Sequence, residues 1–128
     1  MNYYFAKAFS VGFDDAVRRT VEALKQEGFG IITEIDLKET FKKKLDVEFR
    51  NYKILGACNP TLALEALQIE DKVGTMLPCN VVVQDIGGGR TEVAAIDPVA
   101  SMQAIANPHL KEAATRVQAK LRKVVESL

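Results

Sequence analysis

The stretch ILGACNP, at Ile54–Pro60, decides the fold of this chain together with a second Cys-Asn motif, LPCN, at Leu77–Asn80. Each stretch joins apolar residues typical of a strand to a Cys-Asn pair, with a proline beside that pair. Asn59 followed by Pro60 predicts a helix start, because asparagine caps helix N-termini and proline fits the first helical position. The first stretch therefore predicts a strand that runs into a helix, and the second predicts the start of another strand.

Outward from these stretches, the hydrophobic periodicity predicts a mixed order of strands and helices. The predicted strands are Asn2–Phe9, Phe29–Ile35, Glu48–Cys58, Leu77–Ile86 and Thr91–Ile96. Predicted helices begin near Asp14, at Asp36, and at the Asn-Pro and Asp-Pro pairs that start with Asn59, Asp97 and Asn107. Residues 69–76 are predicted to be a simple connection.

The glycines Gly87–Gly89 separate the valine-rich fourth strand from the fifth, and they predict a hairpin. A hairpin requires antiparallel pairing, so a purely parallel arrangement is not expected. The fold class is therefore predicted as α+β, with a mostly antiparallel sheet packed by helices on one face. A length of 128 residues suits a single domain, 1–128.

Composition narrows the classes of function. Seventeen Lys and Arg residues balance 17 Asp and Glu residues, so no global field attracts nucleic acid, and a nucleic-acid partner is not expected. The run Lys42–Lys44 is interpreted as a solvated helix face, since its members point in different directions. No secretory leader and no apolar run of about 20 residues are visible, so no membrane partner is expected. With only two cysteines, the chain is predicted to be cytoplasmic and reduced.

Those two cysteines, Cys58 and Cys79, are the first candidates for chemistry. Cys58 precedes a helix N-terminus, where the positive end of the dipole would favour a thiolate. If the third and fourth strands are antiparallel neighbours, the two thiols would lie close enough for dithiol–disulfide exchange. The alternative interpretation is that both are small buried hydrophobes, which is the usual role of a free cysteine.

The asparagines and the single histidine are weaker candidates for a functional site than the two cysteines. Asn59 is interpreted first as a helix cap, whereas Asn80 has no evident local role and is equally suited to a buried amide or to a pocket wall. A tetrahedral zinc site needs four ligands, and two cysteines with His109 do not supply them, so no metal is expected. His109 is predicted to face solvent in the first turn of the last helix.

The motifs GFG at Gly28–Gly30, YKILGACNP at Tyr52–Pro60, LPCNV at Leu77–Val81 and the pair Asp97-Pro98 occur in this order along the chain. In this combination the chain resembles the prokaryotic family known as domain of unknown function 302, over nearly its whole length. The resemblance implies an α+β fold similar to a single-copy TATA-binding-protein-like architecture, and a homodimer. It implies no established activity, cofactor or catalytic residue.

From these observations the leading hypothesis is a small cytoplasmic binding domain. Its ligand pocket would be lined by Cys58, Asn59, Cys79 and Asn80, with apolar walls and a few polar groups that orient a small molecule. One alternative is a thiol-dependent redox enzyme or sensor, in which Cys58 attacks and Cys79 resolves. Another is a dimeric interaction module that binds no small ligand.

Overall fold

The computed structural model describes residues 2–128. The strands are β1 (Tyr4–Phe9), β2 (Gly30–Asp36), β3 (Tyr52–Cys58), β4 (Cys79–Gly87) and β5 (Arg90–Ile96). The helices are α1 (Phe13–Gln26), α2 (Leu37–Leu45), α3 (Pro60–Ile69), α4 (Pro98–Ser101) and α5 (Pro108–Glu126), with a 3₁₀ helix at Asp71–Met76. Within residues 2–128, none of the helices has the length and apolar character needed to cross a membrane.

The five strands form one sheet in the order β1-β5-β4-β3-β2, and every neighbouring pair is antiparallel. The predicted α+β class and antiparallel sheet are therefore confirmed. Gly88 and Gly89 connect β4 to β5 with φ of 64° and 74°, the left-handed pair that a tight two-residue hairpin loop requires. The narrower likeness to the TATA-binding-protein architecture stays a prediction.

Helices α1 and α5 pack on one face of the sheet and form the main core with it. This core exists because apolar residues alternate along the strands and recur on one stripe of each helix. Its fully buried members include Leu24, Leu55, Val81, Val83, Val93 and Leu121. The opposite face is the open face of the sheet. Its side chains, such as those of Tyr4 and Ile35, are half-buried or exposed.

The predicted helix starts are confirmed, and at the start of every one of these helices except α1 a side chain satisfies a free backbone N–H. Asp36, Asn59, Asp97 and Asn107 all accept hydrogen bonds from the first turn of the helix that follows them. Gly28 ends α1 in the left-handed conformation, with φ of 86°. These local signals fix where each helix enters the fold.

The predicted bounds of the third strand were wrong at its start. Strand β3 begins at Tyr52, whereas the sequence placed the start at Glu48. Asp46 adopts a left-handed conformation, with φ of 52°, and the following segment turns back onto α2. There the Phe49 ring packs edge-on against Phe41, with 5.1 Å between ring centroids. Aromatic packing therefore takes this segment away from regular strand pairing.

The segment around the second Cys-Asn pair also differs from the prediction. Strand β4 begins at Cys79 and not at Leu77, because Pro78 has no N–H to donate to a neighbouring strand. The connection predicted at 69–76 contains the 3₁₀ helix, whose Val73 is fully buried. Strand β1 begins at Tyr4, two residues later than predicted, as frayed strand ends commonly do.

Candidate functional site

A cavity of about 330 Å³ lies where the end of β3 and the start of β4 meet α3 and α5. Its volume falls within the range of small-molecule pockets, about 300–1,000 Å³. The half-exposed side chains of Ile32 and Leu67 belong to the lining and mark where the cavity meets solvent. Helix side chains dominate the walls: Leu62, Ala63, Ala66 and Leu67 from α3, and Leu110, Ala113, Ala114 and Val117 from α5.

Both cysteines line this cavity, and both are free thiols. The sheet brings them together because β3 and β4 are antiparallel neighbours in which Ala57 pairs with Cys79. Cys58 is therefore one residue beyond the position opposite Cys79. Cys79 is only 7% exposed, whereas Cys58 is half-buried. The peptide bond between Leu77 and Pro78, just before Cys79, is cis.

Asn59 lines the same cavity and has two separate roles for its two amide atoms. Its Oδ1 accepts a hydrogen bond from the backbone N–H of Leu62 at 3.2 Å, which caps α3 as predicted. Its Nδ2 lies over Gly28, where a Cβ atom would come within 3.0 Å of it. Within residues 2–128, Nδ2 donates no hydrogen bond to another protein group. Asn59 is therefore a residue of the cavity lining with one amide donor that no protein group in the described part of the chain uses.

Asn80 does not join the other three candidate residues. Because side chains alternate along β4, Asn80 points to the opposite face of the sheet from Cys79. It is exposed there and lines a shallower depression of about 350 Å³ on the open face, together with Tyr4 and Tyr52. The prediction that all four residues share one pocket is therefore corrected for Asn80.

The environment of Cys79 bears directly on thiol chemistry. Burial, and to a lesser extent the nearby Cys58, raises the pKa of the Cys79 thiol from 9.0 to about 11. A thiol with this pKa is neutral near pH 7, and the thiolate is the form that attacks a disulfide. Cys79 is therefore poorly suited to act as a resolving thiol, and it behaves as a small apolar wall residue.

This pKa shift predicts a pH-dependent loss of stability. Above pH 9.0 the unfolded chain releases the Cys79 proton, while the folded protein retains it up to about pH 11. Stability should therefore fall by about 2–3 kcal/mol between these values, at 1.36 kcal/mol per unit. Urea unfolding of wild type and Cys79→Ala at several pH values isolates the pH-dependent loss of stability due to Cys79, because the variant lacks that thiol. Equal pH dependence of the two proteins would contradict the assignment. Cys58→Ala serves as the control, because it retains the larger part of the effect, which is due to burial of Cys79.

The arrangement offers little to a metal ion. Among residues 2–128, no three His, Cys, Asp or Glu side chains are grouped so that they could hold one. His109 is exposed in the first turn of α5, as the sequence predicted. The run Lys42–Lys44 is also exposed, and Lys42 and Lys43 form ion pairs with Asp46 and Glu39. The chemistry that remains at the cavity is apolar contact, two thiols and one amide donor.

Sequence reasoning missed most of the cavity walls. Four residues of α5 line the cavity, and none of them was a candidate site residue. A signal was present in the residue sizes: alanines stand on both helices where they approach, at Ala63 and Ala66 of α3 and at Ala113 and Ala114 of α5. Small side chains on two facing helices leave space between them, but only the packing shows whether the space stays open.

Comparison with known proteins agrees with the motifs around this site. The model of the family described as "Domain of unknown function DUF302" matches residues 5–128, which include every element from β1 to α5 except the first residue of β1. The chain belongs to the DUF302 family. Both Cys-Asn pairs and the helix walls of the cavity therefore lie within the part of the chain that defines DUF302 membership.

A solved DUF302 structure supports the fold. The crystal structure of an uncharacterised conserved DUF302 protein from Bacillus stearothermophilus aligns with a TM-score of 0.90 and 29% sequence identity. The alignment covers 98% of each chain. No curated protein matches the sequence. The comparisons thus establish the family and the fold, and they bring no activity with them.

Proposed function

We propose that this protein is a binding module that holds a small, largely apolar molecule in the cavity between α3 and α5. The observation that carries the proposal is the cavity, which brings Cys58, Asn59 and Cys79 together within apolar walls. Pockets for small molecules commonly combine such walls with a few polar groups that orient the ligand. This protein provides both in one place.

A contact outside the cavity joins its two helical walls. On the surface, Arg116 of α5 forms an ion pair with Glu65 of α3, which ties the two helices together. Inside, the alanines on both helices leave a gap, and an empty apolar gap lowers stability because the lining atoms lack contact partners. A ligand of matching shape restores those contacts and thereby stabilises the folded protein.

A cavity-filling substitution tests the proposal. Ethylbenzene is an uncharged probe, and its titration should shift the amide NMR signals of residues around Cys58, Ala63 and Ala113. In Ala63→Leu the larger side chain occupies the cavity, so affinity should fall by about tenfold or more, while Ala119→Leu on the exposed face of α5 should bind as wild type does. Absence of binding by wild type, or equal binding by both variants, would overturn the proposal.

A thiol-dependent redox role for Cys58 and Cys79 is the alternative class of function. It receives less support because Cys79 is buried and its pKa is raised to about 11, so its thiolate is scarce at neutral pH. Formation of a Cys58–Cys79 disulfide under a mild oxidant would favour the redox role over ligand binding. We expect both thiols to remain reduced under those conditions.

We also propose that the protein forms a homodimer through the open face of the sheet. Large apolar side chains are exposed there, including Tyr4 at 39% and Ile35 at 45%. Across the same face, Arg50 Nε donates to Gln84 Oε1 at 2.9 Å, and Gln84 Nε2 donates to Glu92 at 3.2 Å. A two-fold axis near Gln84 would place the arginine of each copy beside the glutamate of the other, which makes the surface self-complementary.

Light scattering on a charged variant tests the dimer. Ala94 is half-buried on the open face, between β1 and β4, so a glutamate there would place an unpaired charge in the interface. Wild type and Ala119→Glu are expected to have the mass of a dimer, and Ala94→Glu the mass of a monomer. A monomeric wild type, or a dimer that persists in Ala94→Glu, would exclude this interface.

In this account residues 1–128 act as one cytoplasmic domain. Support for the compartment comes from Cys58 and Cys79, which are adjacent in the sheet and yet remain free thiols. Free neighbouring thiols fit a reducing environment better than an oxidising one. Support for one domain comes from the single sheet, which every strand of the structure joins.

A further inference from the structure

The lining of the cavity also limits the chemistry of its ligand. None of the 19 residues that line it carries a charged side chain. A charged ligand would lose its hydration on entry and find no partner of opposite charge, which makes its binding unfavourable. Cys79 adds no charge, because burial keeps its thiol neutral. The walls therefore select for an uncharged molecule.

The hydrogen-bonding groups of the lining further limit which uncharged ligands fit. The only side chain in the lining that carries an amide is Asn59, and its Oδ1 is already engaged by the Leu62 N–H. The groups left to bond a ligand are the unused Nδ2 donor of Asn59 and two thiols, which are weak donors. A ligand that fits this pattern carries a hydrogen-bond acceptor at the end that approaches Asn59, and hydrocarbon elsewhere.

We infer that the ligand is a neutral, predominantly hydrocarbon molecule with a single carbonyl-type acceptor, such as a small ketone or ester, whose oxygen accepts from Asn59 Nδ2. This inference rests on the proposed function of the cavity. The carbonyl end lies near Cys58 and the start of α3, and the hydrocarbon lies between the alanines of α3 and α5. Recognition then depends on shape and one hydrogen bond, without ion pairing.

Three probes of similar size separate these contributions in isothermal titration calorimetry with the full chain. Ethylbenzene has no polar group, acetophenone adds a carbonyl, and benzoate replaces it with a carboxylate. One net hydrogen bond should make acetophenone bind about 3- to 10-fold more tightly than ethylbenzene. Benzoate should bind at least about tenfold more weakly than ethylbenzene, because its charge is left unpaired.

The variant Asn59→Asp tests the donor. Its carboxylate still accepts from the Leu62 N–H and so retains the helix cap, but it has no N–H to donate. The advantage of acetophenone over ethylbenzene should disappear in Asn59→Asp and in Asn59→Ala, whose side chain has no hydrogen-bond donor. It should persist in Asn107→Asp, where the same change is made at the cap of α5, outside the cavity lining.

The outcomes distinguish the inference from the proposed function. If ethylbenzene binds and acetophenone has no advantage, or keeps it in both Asn59 variants, the inference is overturned while the cavity remains a binding site. Benzoate binding more tightly than acetophenone also overturns the inference. If none of the three probes binds, the inference and the proposed function fail together.

Discussion

Replacing Gly56 by alanine is expected to destabilise the protein by about 3 kcal/mol or more, and to lower Tm by roughly 10 °C. Gly56 lies in β3 between Thr33 of β2 and the proline that precedes β4. A Cβ atom at this position would overlap Thr33 Oγ1 and would lie 2.8 Å from Pro78 Cγ. Both neighbours are held close to the backbone, so relief requires movement of the strands themselves.

A second glycine of the same sheet provides the control for this substitution. Gly30 in β2 has nothing within 4 Å of the position where a Cβ would stand, so Gly30→Ala should leave stability within about 1 kcal/mol of wild type. Adding Thr33→Ala to Gly56→Ala should recover part of the loss. Chemical denaturation of the four proteins measures these effects, and a Gly56→Ala protein as stable as Gly30→Ala would contradict the packing described here.

The second large effect is expected for Asp97→Ala, which should lower stability by about 2.5–4 kcal/mol. Asp97 is 8% exposed and caps α4, with Oδ1 at 3.0 Å from Val99 N and 3.4 Å from Ala100 N. The same carboxylate accepts from Gln118 Nε2 of α5, at 3.0 and 3.2 Å. Alanine would remove a cap worth about 1 kcal/mol and a hydrogen bond to a charged group worth about 1.5–3 kcal/mol.

A variant at an exposed helix cap separates the contribution of the cap from that of the hydrogen bond to Gln118. Asp36 caps α2 through Glu39 N at 3.0 Å, and this hydrogen bond is exposed to solvent. Asp36→Ala should therefore cost only about 1 kcal/mol. If the free energies of unfolding fell equally in the two variants, the link between α4 and α5 through Gln118 would contribute nothing. Because Pro98 and Met102 line the cavity, Asp97→Ala should also weaken probe binding, whereas Asp36→Ala should not.

Most of the fold could be predicted from local sequence signals. Asn59-Pro60, Asp97-Pro98 and Asn107-Pro108 each predicted a helix start because the chemistry of a cap and a first-turn proline is contained in two adjacent residues. The glycines Gly87–Gly89 predicted the hairpin for a similar reason. The start of β3 was not predictable in this way, since it depends on contact between Phe49 and a residue of another element.

The candidate site was predictable only in part. Strand pairing brings Cys58, Asn59 and Cys79 to one cavity, and the Cys-Asn motifs pointed to that region. The motif LPCN did contain a signal against Asn80, because Cys79 and Asn80 are neighbours within the predicted strand Leu77–Ile86 and neighbouring side chains of a strand point to opposite faces. The walls supplied by α5 come from residues far along the chain. Their approach to α3 is a property of packing between helices and has no local signal.

The central claim is that the cavity between α3 and α5 accepts an uncharged molecule with its acceptor toward Asn59. A crystal of the protein soaked with 4-bromoacetophenone tests this most directly, since anomalous scattering locates the bromine independently of the protein atoms. The account predicts a bromine peak between the alanines Ala63 and Ala113, and a carbonyl oxygen within hydrogen-bond distance of Asn59 Nδ2. A vacant cavity, or a probe bound only on the open face of the sheet beside Tyr4, would contradict it.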